Sequence, residues 1–182
     1  IVGVPARKEE QAYAETIADQ LADYVWQRRH EFHYTGLTAK PEQALAMTLD
    51  FAGSPAVITD SGDNTTSGAT GWNTFLLRQV LAEPNLKKSF LFAPICDPKT
   101  AGQLKNCQPG EAVKICLGAG VDALSESVPL DVVLKRHGEI ARFVGEELIK
   151  VFGGCTLVSV KDKPIDILIS EPSQPIIMHA QL

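Results

Sequence analysis

Pro55-Ala-Val-Ile-Thr-Asp60 is a short apolar run. It opens onto Ser61-Gly-Asp-Asn-Thr-Thr-Ser-Gly-Ala-Thr-Gly-Trp-Asn-Thr74 and then onto Phe75-Leu-Leu-Arg-Gln-Val-Leu81. The first piece has the length and β-branched content of a buried strand. The middle piece is a loop, rich in Gly, Ser, Thr and Asn. The last is a helix that Asn73 or Thr74 can cap, with Phe75, Leu76, Val80 and Leu81 as its core face. Further along, Ser89–Ile95 reads as a second buried strand. Asp97-Pro98 is a cap and first turn for a helix reaching about Asn106. Ala112–Leu117 is a third strand, before Gly118-Ala-Gly120. This β-α-β-α-β order predicts a parallel sheet with right-handed crossovers and helices on its faces.

Upstream, residues 7–32 have the pattern of a long amphipathic helix, with Tyr13, Ile17, Leu21 and Val25 at intervals of four. Residues 41–50 predict a second helix with Pro41 at its first position. Downstream, Leu130–His137, Thr156–Lys161 and Ile165–Glu171 read as strands joined by turns. The expectation is one α/β domain over residues 1–182. It has three layers and a mostly parallel sheet, with a C-terminal antiparallel meander attached.

At 182 residues the chain can bury a sizeable core without disulfides or metals. Hydrophobic residues at 45% and charged residues at 21% exclude a disordered chain. A net charge of −5 argues against nucleic acid and anionic membrane as partners. No apolar run is long enough to span a bilayer, and no signal peptide is visible. Cys96, Cys107, Cys116 and Cys155 form no CxxC pair. They are read as reduced, hydrophobe-like thiols, which suits a cytoplasmic setting.

The loop at 60–74 is where chemistry is expected. It leaves the carboxyl end of a strand, where open α/β sheets collect ligands. Gly62, Gly68 and Gly71 allow close backbone approach, and helix-start N–H groups can hold an anion. Asp60, Asp63 and Asn64 add side-chain oxygens. The bland alternative is a connection whose Asp and Asn side chains bond their own backbone. The loop is neither a P-loop nor G-x-G-x-x-G. His30-Glu31-Phe32-His33 is one residue short of a zincin motif and is read as helix surface. His137 is read as a solvated strand end, and His179 as isolated. Cys96 is read as a packed thiol in preference to a nucleophile.

This loop resembles the MlrC-like proteins, the M81 family of proposed metallopeptidases named after the microcystin-degradation protein MlrC. Their C-terminal domain carries D-x-x-D-N-x-x-x-G-A-P-G-D-x-T after a strand. Asp60, Asp63, Asn64, Gly68, Ala69, Gly71 and Thr74 match it. So do Phe75–Leu81, Ala93-Pro94-Ile95…Asp97-Pro98, and the Lys40-Pro41-Glu42-Gln43-Ala44 helix start. Trp72 replaces the usual Asp, and Thr70 replaces the usual Pro. The resemblance implies zinc in the full-length protein, held by His and Asp residues of an N-terminal domain that this chain does not align to. It implies no cofactor and no metal ligand within this chain, which is then expected to be an excised C-terminal domain. The implied partners are that N-terminal domain and a peptide or amide substrate, with homo-oligomerisation left open. Asp63 and Asn64 are the catalytic candidates. Asp60, Gly62, Asp63, Asn64, Gly68, Gly71 and Thr74 are the candidate substrate- or anion-binding loop. The alternative is a non-catalytic binding or scaffold domain whose loop holds an anion or the partner domain.

Overall fold

The computed structural model describes residues 3–144 and 147–172, so His179 lies outside the described residues. It divides into a compact unit within Ile1–Ala39 and a second within Lys40–Leu182.

In the first unit, a 3-10 turn at Lys8–Glu10 leads into α1, Gln11–Gln27. The helix is shorter than the 7–32 the periodicity predicts, and none of its residues is buried. Its apolar stripe stays open: Tyr13 is 70% exposed and Leu21 49%. Past its end, the Arg28 and Arg29 guanidinium groups stack on Tyr24 and Trp26, where a cation lies over an aromatic face. His30 and His33 follow the helix, exposed, as the surface reading has them.

The second unit holds α2 (Pro41–Asp50), α3 (Phe75–Ala82), α4 (Pro98–Leu104) and strands β1 (Phe90–Cys96), β2 (Ala112–Leu117), β3 (Val128–Val144), β4 (Glu147–Val160) and β5 (Ile165–Ser170). The described strands form one sheet in the order β1-β5-β4-β3-β2. Only β1 and β5 are parallel; the other three pairings are antiparallel. The α/β class therefore stands, but the mostly parallel sheet does not. The reason lies in the connections. After β2 the chain turns within Gly118–Ser127 and β3 pairs straight back on it, so β2 is claimed by its sequence neighbour. β4 and β5 continue the meander, and β5 then takes β1. The link through α4 carries the chain from one edge of the sheet to the other, so β1 and β2 do not pair.

The strand readings also shift in detail. Pro55–Asp60 forms no strand among the described residues, and Val57 is 81% exposed. β2 is an edge strand that alternates, with Lys114 and Cys116 facing out and Ile115 and Leu117 in. Cys116 is thus not a packed thiol. β3 and β4 run well past the expected ends as one long hairpin. Arg136, His137 and Gly138 pair with Leu157, Thr156 and Cys155 inside it. His137 is consequently mid-strand: Nε2 donates to the Cys107 carbonyl at 2.9 Å, and Nδ1 lies 3.0 Å from Thr156 Oγ1.

The core lies on one face of the sheet. Ile115, Leu117, Val132, Leu134, Val158, Ile167 and Ile169 pack with Leu45, Leu77, Val80 and Leu104 of the helices. Each such side chain contributes about 1.5–3 kcal/mol on burial. On α3 the deepest residues are Leu77 and Val80; Leu76 and Leu81 lie at the rim of the core.

Candidate functional site

The carboxyl ends of β1 and β2, the start of α3 and the segment after β5 converge, and the 60–74 loop is tied among them. Asp63 is its hub. One carboxylate oxygen accepts the Gly71 N–H at 2.9 Å and the other the Asn73 N–H at 2.8 Å. This closes the loop on itself across eight to ten residues. Asp60 adds one local and one long tie: Oδ1 accepts the N–H of Gly62 at 2.9 Å, and Oδ2 the side-chain amide of Asn73 at 2.8 Å. Asn64 Oδ1 accepts the N–H and hydroxyl of Thr66, at 3.0 and 2.6 Å, and starts the 3-10 turn Thr65–Ser67. Gly68 and Gly71 have φ of 90° and 75°, which an L side chain rarely adopts, so these two turns require glycine.

Asn73 stands just before the N-cap position of α3, which is Thr74, and its Oδ1 accepts the Phe75 N–H at 2.8 Å. Thr74 is fully buried and acts elsewhere: its N–H and hydroxyl donate to the carbonyls of Leu124 and Glu126, at 2.9 and 2.7 Å. The Gly71 carbonyl accepts the Cys96 N–H at 2.7 Å, which fixes the loop to the end of β1. There Asp97 accepts from Thr100 N and Oγ1 and from Gly118 N, at 2.9, 2.7 and 3.0 Å. The Asp97 side chain thereby joins β1, α4 and the end of β2. Arg78 links α3 to the 118–127 turn by donating to Glu126 at 2.6 Å and to the Ala123 carbonyl.

All seven sequence-expected residues are thus close together in one loop, but Thr74 is turned inward as a tether. Sequence reading missed the 118–127 turn as a member of the cluster. Its signal was Asp122-x-x-Ser125, a spacing that lets the aspartate accept from the hydroxyl and N–H of Ser125, at 2.7 and 2.8 Å. Those bonds hold the Asp122 carboxyl below the usual carboxylate range.

The electrostatics favour a neutral thiol at Cys96. Burial, then the carboxylates of Asp97 and Asp63, push its pKa up. That disfavours the thiolate a nucleophile requires. Among the described residues, no group of three or more His, Cys, Asp or Glu could hold a metal ion. The donor oxygens of Asp60 and Asp63 are committed to N–H groups, and the loop does not fit a metal centre. The Asn64 side-chain nitrogen is different: it is exposed and has no bonding partner among the described residues.

Residues 58–182 match the family model described as MlrC C-terminus. The chain belongs to that family. No curated protein matches the chain. Among solved structures it is similar to one titled a "Putative metallopeptidase" from Mesorhizobium sp. BNC1, at a TM-score of 0.60 and 14% identity. The likeness covers 85% of this chain and 31% of that one, so this MlrC C-terminal chain spans about a third of that protein's length. At that identity the likeness speaks to the fold alone. No described helix is long and apolar enough to cross a membrane.

Proposed function

We propose that this MlrC C-terminal domain forms one wall of an amide-hydrolysing cleft, with the 60–74 loop as the wall's substrate-facing rim. The observation that carries this is the loop's pre-organisation. Asp60, Asp63 and Asn73 hold its backbone from within, so binding a substrate costs little further ordering. Asp63 is a positioning residue, since its oxygens hold Gly71 and Asn73. Asn64 is the group offered outward, a neutral donor suited to a peptide carbonyl. The zinc that the family resemblance implies belongs to the opposing N-terminal domain, and this chain's residues supply orientation and shape alone.

The test uses the full two-domain protein and peptide amide substrates. Asn64→Ala is expected to lower kcat/KM at least about tenfold, or about 1.4 kcal/mol, with the melting temperature unchanged. Unchanged turnover would instead favour a rim that only contacts the neighbouring domain.

A further inference from the structure

We infer that Val121 and Leu124, on the 118–127 turn, form an apolar subsite for a large apolar side chain of the amide substrate. The inference rests on the proposed function and names the substrate class that the rim selects.

Three observations carry it. The first is a braced turn that holds apolar side chains in water. Asp122 Oδ1 accepts the N–H of Leu124 at 3.0 Å, together with the N–H and hydroxyl of Ser125. The Gly120 N–H donates to the Ser125 carbonyl at 2.7 Å, and the Ser127 hydroxyl to the Gly118 carbonyl at 3.1 Å. Arg78 grips the turn from α3 through Glu126 and the Ala123 carbonyl. Val121 is nevertheless 64% exposed and Leu124 53%. On a slack loop such side chains fold back on their neighbours. Here the backbone is fixed, and two branched residues three positions apart stay presented to solvent, as at a binding surface.

The second is where the turn sits. Thr74 joins it to the 60–74 loop, donating its N–H to the Leu124 carbonyl and its hydroxyl to that of Glu126. Gly118 lies close against it: a Cβ there would come within 3.1 Å of Thr74 Cγ2. Leu124 is therefore one hydrogen bond from a residue two positions after Trp72. Trp72 is half-buried, and it stands between Gly71 and Asn73, the two residues that Asp63 holds. The polar rim that offers Asn64 and the apolar turn thus share one surface. A substrate whose carbonyl meets the first has its side chain within reach of the second.

The third is charge. Asp60, Asp63, Asp122 and Glu126 place carboxylates around both loops. Arg78, the cation between α3 and the turn, is engaged by Glu126 at 2.6 Å. An acidic side chain is repelled by this surround, whereas a neutral apolar one meets no such penalty. Attraction from Val121 and Leu124 and repulsion from the carboxylates select in the same direction.

The test measures kcat/KM of the full two-domain protein on peptide amides that differ in one residue beside the scissile bond: leucyl, alanyl or glutamyl. The leucyl amide is expected to be best and the glutamyl poorest. Val121→Ser/Leu124→Ser is expected to lower the leucyl-to-alanyl ratio at least about tenfold, the scale of one apolar side chain in a pocket. Leu124→Met should keep most of that ratio. The melting temperature should hold within about 2 °C, since both side chains are exposed. Leu124→Gln, of similar size, is read in place of the double variant if that one melts early. A ratio that survives the loss of both side chains overturns the subsite. So does an equal loss on the leucyl and alanyl amides, which marks a structural role. If Asn64→Ala leaves turnover unaltered while the ratio still collapses, the rim reading fails and the subsite stands. If no amide is turned over, both fail.

Discussion

Asp63 shows how far one carboxylate can organise a loop. Each of its oxygens accepts a backbone N–H from residues eight and ten positions ahead. Hydrogen bonds to a charged group contribute about 1.5–3 kcal/mol each, and the side chain is half-buried. Asp63→Ala is therefore expected to cost about 2–4 kcal/mol in urea unfolding, while Asn64→Ala, at an exposed turn, should cost under about 1 kcal/mol. Equal costs would show that the loop is not closed through Asp63. The thiols divide by environment in a similar way. Cys96 is buried, with its pKa raised, whereas Cys116 is exposed on an edge strand. In the native protein an alkylating reagent should label Cys116 first and Cys96 last; in denaturant without reductant, all four thiols should react. The residue types at 60–74 were legible from the sequence, because Asp, Asn and Gly in that density announce a structured loop. Their assignments were not. Whether an Asp oxygen faces a substrate or an N–H ten residues away depends on a closure that no local spacing encodes.

At the scale of elements, the ties between strands carry the argument. Asp97 is the cap the Asp97-Pro98 pair announces, but its third bond, to Gly118, binds the ends of two strands at opposite edges. Asp97→Ala leaves a buried N–H at Thr100 and a half-buried one at Gly118 without their acceptor and is expected to destabilise by about 2–3 kcal/mol, beyond the roughly 1 kcal/mol of an ordinary cap. On the sheet face away from the core, Asp166 of β5 bonds Ser159 of β4 and Lys135 of β3, at 2.5 and 2.8 Å. Partial burial raises the Asp166 pKa, but those two bonds outweigh it and the net shift is downward. A carboxyl whose folded pKa is depressed adds stability that is present above its unfolded value, about 3.9, and is lost as pH falls through the folded value. Asp166→Asn should accordingly lower the urea midpoint at pH 6 and change it much less at pH 2. The helices and β1, β2 and β5 were readable from caps and apolar runs. The partners of the strands were not, because a period of two says which face is buried and nothing about who lies beside whom.

For the molecule as a whole, the two units differ in what they bury. α1 contributes no buried residue, while the second unit holds the full apolar cluster. Residues 40–182 alone should therefore melt cooperatively within about 4 °C of the whole chain, since that shift corresponds to about 1 kcal/mol at this size. A larger fall would mean that the first unit stabilises the second. The sheet order has a further consequence, in time instead of space. β1 is the first strand of the sheet to leave the ribosome, yet its strand partner begins seventy-five residues later, Phe90 opposite Ile165. Throughout that interval β1 lacks its β5 partner, and the edge that Phe90 and Phe92 turn toward β5 stays unpaired. A chain interrupted anywhere before Ile165 carries an unmatched apolar edge, the kind of nascent segment on which chaperones act.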